Sequence, residues 1–123
     1  MQHSYSYLRR LLLLLSLVSC GQLAHAASYY WVPAGSPATG TGAWNDLSHW
    51  AASSGGSGGA YSQVPQSTDD VFFDANSFNA ASQRVSLIFS GSTSGSSVPV
   101  CHNMTWSGNV RSAGFINNNT LEI

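Results

Sequence analysis

The residues of this chain that could carry out chemistry are few, and their spacing limits what they can do. Cys101 is followed directly by His102. Neighbouring residues of a strand point to opposite faces of the sheet, so these two side chains could not share a proton. His49 and His102 are not joined by the short His or Cys spacings of metal sites. The sequence therefore predicts neither catalytic residues nor a histidine-based metal centre, and we interpret the chain as non-catalytic.

Three carboxylates surround one short apolar run. Asp69 and Asp70 precede Val71-Phe72-Phe73, and Asp74 follows it. Hard oxygen ligands of this kind could hold calcium, although the glycine-spaced regularity of a dedicated calcium loop is missing. Charges at the ends of a strand also discourage unwanted pairing between sheet edges. Calcium is thus the one cofactor that the sequence suggests, with ordinary strand-edge charges as the alternative.

Three tryptophans lie within a segment of small residues. Trp31, Trp44 and Trp50 are separated mainly by Gly, Ser, Thr, Ala and Pro. Tryptophan buries a large apolar surface, so a core in this region has to form around these indoles. The same side chains, if exposed, could form a platform for sugar rings. The sequence favours the core and leaves the glycan platform as the alternative.

Charge excludes some partners. The whole sequence contains no lysine, and beyond residue 26 two arginines stand against four aspartates and one glutamate, a formal charge of −3. Binding to nucleic acid or to an anionic membrane surface needs a basic patch, which such a segment cannot supply. Surface glycans and other extracellular proteins are the partners that remain.

The first 26 residues have the pattern of an export signal. Arg9 and Arg10 precede an apolar run at residues 11–18, which is too short to span a bilayer of roughly 30 Å as a helix. Ala24-His25-Ala26 then provides a small-x-small cleavage site before Ala27. Leu17-Val18-Ser19-Cys20 also resembles a lipobox, in which Cys20 would be lipidated and would supply the only membrane anchor. Both routes predict a secreted or outer-surface protein.

The remainder, residues 27–123, is predicted to be one all-β module. Strands are expected near residues 71–73, 85–89 and 98–106, with shorter ones at 113–116 and 121–123. In the third, parity places Val98, Val100, His102, Met104 and Trp106 on one face. Residues 51–59 are expected to form a flexible, linker-like loop. The last segment has no closing turn, so the module is expected to be truncated at its C-terminus.

The apolar segments are spaced regularly. They centre near residues 72, 87, 102 and 116, with polar turns between them. A constant spacing of about fifteen residues indicates the first coils of a parallel β-solenoid, or β-helix, one segment to a coil. A small β-sandwich is the alternative.

Several motifs occur together in a familiar order. They are YYWV, GTGAWNDLSHWA, GGSGG, TDDVFFDANSF and CHNMTWSG, between Tyr29 and Gly108. In this order they resemble a tryptophan-rich repeat module of large exported surface proteins of Bacteroidetes, which are β-helical or mixed β and associated with type IX secretion. The module usually has a shorter glycine turn between its first two tryptophans than the PAGSPATGTG found here. The resemblance implies no catalytic residues.

Two function classes follow from the sequence. The first is a non-catalytic structural or adhesive module of an exported or cell-surface protein. The second is a carbohydrate-binding attachment to a secreted hydrolase.

Overall fold

The computed structural model describes residues 26–87, 98–108 and 111–116. These residues form seven short strands and one 3-10 turn. The strands are β1 (Ser28–Trp31), β2 (Gly42–Ala43), β3 (Trp50–Ala51), β4 (Asp70–Phe73), β5 (Arg84–Ser86), β6 (Asn103–Trp106) and β7 (Gly114–Ile116), and the turn is Leu47–His49. The described part of the chain contains no α-helix, so the all-β prediction is confirmed.

The first sheet has four strands in the order β3-β1-β4-β6. Its last three strands are parallel and in register, with Ser28 beside Asp70 and Asp70 beside Asn103. Only β3 runs antiparallel, and it pairs with the free side of β1 so that Trp50 lies opposite Trp31. Alternation along each strand directs one set of side chains into the core and the other set outward.

The second sheet has three parallel strands in the order β2-β5-β7. Gly42 pairs with Val85, and Val85 pairs with Phe115. The chain crosses from the first sheet to the second after each of β1, β4 and β6. Antiparallel sheets build β-sandwiches, whereas all strand pairs here except β1–β3 are parallel.

The predicted spacing of fifteen residues does not correspond to one coil. The segment near residue 72 pairs with β6, and the segment after it, β5, pairs with β7 in the other sheet. Paired residues on neighbouring strands are 33 residues apart for Asp70 and Asn103, and 43 apart for Gly42 and Val85. Two successive apolar segments therefore lie one in each sheet, and we call β1 with β2 the first layer, β4 with β5 the second and β6 with β7 the third.

Aromatic side chains fill the interior of the first sheet, one from each strand. We call this set the inner column, and its members in sheet order are Trp50, Trp31, Phe73 and Trp106. Neighbouring ring centroids in this order are 4.9, 6.0 and 4.5 Å apart. Phe115 of β7 contacts the edge of the column from the second sheet, with its centroid 5.6 Å from that of Phe73. Because Phe115 contacts Phe73 and Trp106 from the second sheet, these ring contacts help to hold the two sheets together.

Residues 44–51, which we call the cap, cover the first layer. They contain the 3-10 turn and β3, and β3 occupies the side of β1 that faces away from β4. The imidazole of His49 stacks on Trp31, with centroids 4.4 Å apart and planes at 3°. It fills the space beside Gly42, where any Cβ would collide with the ring. Gly42 is thus required because the His49 ring approaches its backbone closely, and not because it adopts a left-handed conformation.

The predicted strands that lie within the described residues are found with altered bounds. Strand β4 covers residues 71–73 and starts one residue earlier, and β5 covers the beginning of the segment predicted at 85–89, whose residues 88 and 89 lie outside the described residues. The third prediction is wrong upstream of Asn103, where β6 begins. Cys101 is buried and His102 exposed, the reverse of the predicted parity. The segment predicted at 121–123 lies outside the described residues.

The segment predicted as a linker-like loop is packed against the molecule. Ala51 belongs to β3, and the backbone N–H groups of Gly59 and Ala60 donate to Leu47 and Trp50. A Cβ on Gly58 would collide with the carbonyl oxygen of Ser48. Residues 52–60 are mostly exposed, and the loop contacts the cap at its two ends.

Candidate functional site

The three predicted tryptophans meet in the core. Trp31, Trp44 and Trp50 are all buried, and Trp50 contacts both of the others edge to face. The Trp31 indole N–H donates to the carbonyl of Gly40 over 2.8 Å. Burial leaves none of the three rings a face on which a sugar could stack. The prediction that these residues form a core is confirmed. The alternative prediction, that they form an exposed platform for glycans, is wrong.

The side chain of Asp69 accepts hydrogen bonds from backbone N–H groups, one of them near the start of the described chain. The residue is buried, and its two carboxylate oxygens accept from the N–H groups of Ala27 and Gln66 at 3.0 and 2.9 Å. Its backbone carbonyl accepts from the N–H of His102 at 2.7 Å. Asp69 therefore ties together three segments, and its oxygens are occupied by protein donors.

The other two candidate calcium ligands are engaged separately. Asp74 accepts from the N–H of Asn76 at 2.8 Å and organises the turn after β4. Asp70 accepts from side chains on the neighbouring segment. Across residues 26–87, 98–108 and 111–116, no three His, Cys, Asp or Glu side chains are grouped to hold one metal ion. The three aspartates thus do not form one cation site within this part of the chain.

An exposed polar cluster joins β4 to the start of β6. Oδ1 of Asp70 accepts from Nδ2 of Asn103 at 2.9 Å and lies 3.1 Å from Nδ1 of His102. The Asn103 hydrogen bond, followed by that of His102, lowers the pKa of the Asp70 carboxyl below its ordinary value. Sequence reasoning named Asp70 as a calcium ligand and did not connect it with His102 or Asn103, because the link depends on strand register.

Cys101 is unsuited to nucleophilic chemistry. Its thiol is buried, and burial, with a smaller contribution from the charge of Asp70, raises its pKa above the ordinary value. A raised pKa keeps the thiol protonated, which is the unreactive form. His102 is turned outward toward Asp70. The prediction that Cys101 and His102 do not act together agrees with these positions.

A serine, a histidine and an aspartate lie close together in the cap, but they do not form the hydrogen-bonded serine–histidine–aspartate arrangement of a catalytic triad. The Ser48 hydroxyl donates to Asp46 Oδ1 at 2.6 Å, and this bond is the main cause of the lowered pKa of Asp46. His49 Nδ1 lies 2.7 Å from the carbonyl oxygen of Val32. A carbonyl only accepts, so Nδ1 carries the proton. Without a bond between Ser48 and His49, the histidine cannot activate the hydroxyl.

The outward face of the first sheet carries aromatic residues that sequence reasoning did not single out. Tyr30 and Phe72 are half-buried neighbours on β1 and β4, with centroids 4.8 Å apart and planes at 15°. Their outward position follows from alternation, since Tyr29, Trp31, Val71 and Phe73 point into the core. The alternating burial of SYYW and DVFF separates these outward residues from the inward set.

The predicted signal segment and Cys20 fall outside the described residues, apart from Ala26. The described part of the chain contains no helix that is both long and apolar enough to cross a membrane. Comparison with known protein families, with curated proteins and with solved structures finds no match for this chain.

Proposed function

We propose that this chain is a non-catalytic module of an exported or cell-surface protein, and that it forms the capped first coils of a parallel β-solenoid. One observation supports the proposed solenoid. The strands β1, β4 and β6 of the first sheet, and β5 and β7 of the second, are parallel and in register, while the cap covers the free side of β1. Solenoid repeats bury their apolar faces against the next repeat and need a distinct terminal unit. Residues 44–51 have the position and the packing of such a unit.

In the described residues, neither Cys101 nor Ser48 is hydrogen-bonded to a histidine that could act as its base, and this supports a non-catalytic role. The Cys101 thiol is buried, and the Ser48 hydroxyl donates to a carboxylate instead of a base. We propose no cofactor, because the three aspartates that suggested calcium bind protein groups in separate places. The proposed partners are surface glycans or other extracellular proteins, and nucleic acid is not among them.

The proposed location depends on the first 26 residues and on the resemblance to exported modules of Bacteroidetes. Two arginines, a short apolar run and Ala24-His25-Ala26 support export, and Cys20 would add a lipid anchor if the lipobox is used. The second function class, an attachment to a secreted hydrolase, lost its supporting observation when the three tryptophans proved to be buried. We therefore propose the structural or adhesive module.

Export can be tested by expressing the full chain in a Bacteroidetes host and separating the cell fractions. We expect the protein outside the cytoplasm, with a new N-terminus at Ala27 or at a lipidated Cys20, both measurable by mass spectrometry. A chain lacking residues 2–26 is the control and should stay in the cytoplasm. Recovery of the full chain in the cytoplasm with Met1 intact would refute the proposed location.

A further inference from the structure

Two rows of side chains run across the outward face of β1, β4 and β6. The rows follow from the register of the three parallel strands. The first row contains Ser28, Asp70 and Asn103, and the second row contains Tyr30, Phe72 and Thr105. A polar row thus lies beside a row that is aromatic over two strands and ends in a small residue. The rows are two residues apart along each strand, a separation of about 7 Å.

The aromatic row is closed on one side and open on the other. Tyr30 stacks on Phe72, and beyond Tyr30 the row continues to Ala51 of β3, which is buried. On the β6 side the next position is Thr105, which is exposed. Neighbouring strands are about 4.8 Å apart, the spacing at which flat rings stack. On its β6 side, Phe72 is followed in this row by the small, exposed side chain of Thr105 and not by a third ring.

Polar groups with free hydrogen-bonding capacity lie next to this part of the row. Asp70 Oδ1 is used by Asn103 Nδ2 and His102. Within the described residues, no hydrogen bond is made by Asp70 Oδ2, Asn103 Oδ1 or the Thr105 hydroxyl. The cluster is also held in one arrangement, because Asp70 Oδ1 fixes the orientation of the Asn103 amide. We call Phe72, Thr105, Asp70, Asn103 and His102 the outer shelf.

We propose that the outer shelf binds one neutral pyranose ring of an extracellular glycan. The apolar face of the sugar stacks on Phe72, where its C–H groups meet the negative face of the aromatic ring. Its hydroxyls donate to Asp70 Oδ2 and Asn103 Oδ1, and the Thr105 hydroxyl completes the contact. The carboxylate of Asp70 favours neutral sugars, because it repels uronic and sialic acids.

This inference makes the adhesive role of the proposed function specific, and it rests on that function in requiring exposure outside the cell. Binding by the purified full chain does not depend on where the cell sends it. Cell fractionation tests the location alone. A chain that is exported but does not bind, and a chain that binds but is not exported, are therefore distinguishable results.

The test is isothermal titration calorimetry of the full chain with neutral cello-, xylo-, manno- and chito-hexaose and with anionic hexagalacturonate. We expect at least one neutral hexasaccharide to bind with a Kd of about 0.1–1 mM, as suits a single stacked ring with a few hydrogen bonds. Hexagalacturonate should bind at least about tenfold more weakly, because of Asp70. Failure of all neutral sugars to bind at 10 mM, about ten times that Kd, would overturn the proposal, as would preferential binding of hexagalacturonate.

Three variants assign the binding to the shelf. Phe72→Leu keeps an apolar side chain but removes the flat face, and Asn103→Ala removes a hydroxyl acceptor outside the core. Each should weaken binding by about tenfold or more. Asn76→Ala, which removes the amide of an exposed asparagine outside the shelf, should retain affinity within about twofold. If Phe72→Leu and Asn103→Ala melt like the parent and bind equally well, the site is not the outer shelf. Loss of binding only in Asn76→Ala would also refute it.

Discussion

The indole nitrogens of Trp44 and Trp50 have different environments although the two rings are in contact. Nε1 of Trp50 donates to the carbonyl of Trp44 over 2.8 Å, within the core. Nε1 of Trp44 is buried and has no hydrogen-bond partner among the described residues. Its ring meets that of Trp50 edge to face, at a centroid distance of 5.0 Å. Because an unpaired buried donor costs stability, the two tryptophans should respond differently to loss of the N–H group.

Replacing each of these tryptophans by phenylalanine gives the first prediction. Both changes remove the same atoms from the core, but Trp50→Phe also leaves the Trp44 carbonyl unpaired, whereas Trp44→Phe removes an unpaired donor. We expect Trp50→Phe to lower the free energy of unfolding by about 1–3 kcal/mol more than Trp44→Phe. Urea denaturation of both variants measures the difference. Equal losses, or a larger loss for Trp44→Phe, would contradict the assigned hydrogen bonding.

Residue types alone predicted the burial of the tryptophans, because a segment of Gly, Ser, Thr and Ala offers few other large apolar side chains. The outer shelf could not be predicted in this way. Asp70 and Asn103 are 33 residues apart, and their contact exists only because β4 and β6 pair in one register. Phe72 and Phe73 are adjacent residues of the same type. Only the alternation of burial along β4 distinguishes the outward ring of Phe72 from the inward ring of Phe73.

The cap is a supporting element that depends on glycine in the neighbouring strand. His49 stacks on Trp31 and is held by the Val32 carbonyl, so the imidazole cannot move aside without losing both contacts. Gly42 of β2 faces this ring, and a Cβ there would overlap it. Gly114 of β7 is a strand glycine of the same sheet, and a Cβ there would meet nothing within 4 Å.

These two glycines form a matched pair for the second prediction. Gly42→Ala should lower the free energy of unfolding by about 1–3 kcal/mol, as expected for overpacking against a fixed ring. Gly114→Ala should be neutral or slightly stabilising, because alanine restricts the unfolded chain. Thermal melts should separate the variants by about 4–8 °C for each kcal/mol in a domain of this size. Similar melting temperatures for both variants would mean that His49 does not fill the space beside Gly42.

Strand positions were more predictable than strand partners. A short apolar run between aspartates predicted β4, and the alternation of apolar and polar residues predicted the start of β5; both were confirmed. The even spacing of apolar segments suggested one coil per segment, but consecutive segments lie in different sheets. Spacing along a sequence does not reveal which strands pair, because the connections between the sheets differ in length. Strands β1, β2 and β3 were not predicted, and β2 and β3 have only two residues each.

The molecule has two unlike ends. The cap covers one of them, whereas nothing in the described residues pairs with the outer sides of β6 and β7. The exposed large hydrophobic side chains of the described chain are Trp106, at 37 % exposure, and Ile116, at 47 %, and both belong to these outer strands. β6 and β7 carry no charged side chain, and an uncharged, unpaired edge promotes association between chains.

Self-association through this end is the third prediction. We expect the chain from residue 27 onward to form oligomers and to melt over a broad range of temperature. Ile116→Lys should shift it toward the monomer, because a charge on β7 disfavours edge pairing. Ala52→Lys adds the same charge beside the cap and should have no such effect. Light scattering at several protein concentrations measures the mass of each variant. A sharp, monomeric transition in the parent would show that the outer edges are protected.

The position of the cap also bears on the order in which the strands form during folding. Within the described residues, β4 and β5 lie between the strands β1 and β2 and the outer strands β6 and β7. We therefore expect β4 and β5 to pair with β1 and β2 before β6 and β7 are added, so that the first layer acts as the folding nucleus. Stopped-flow kinetics can test this order: Gly42→Ala should slow refolding, whereas destabilising changes in β7 should mainly speed unfolding.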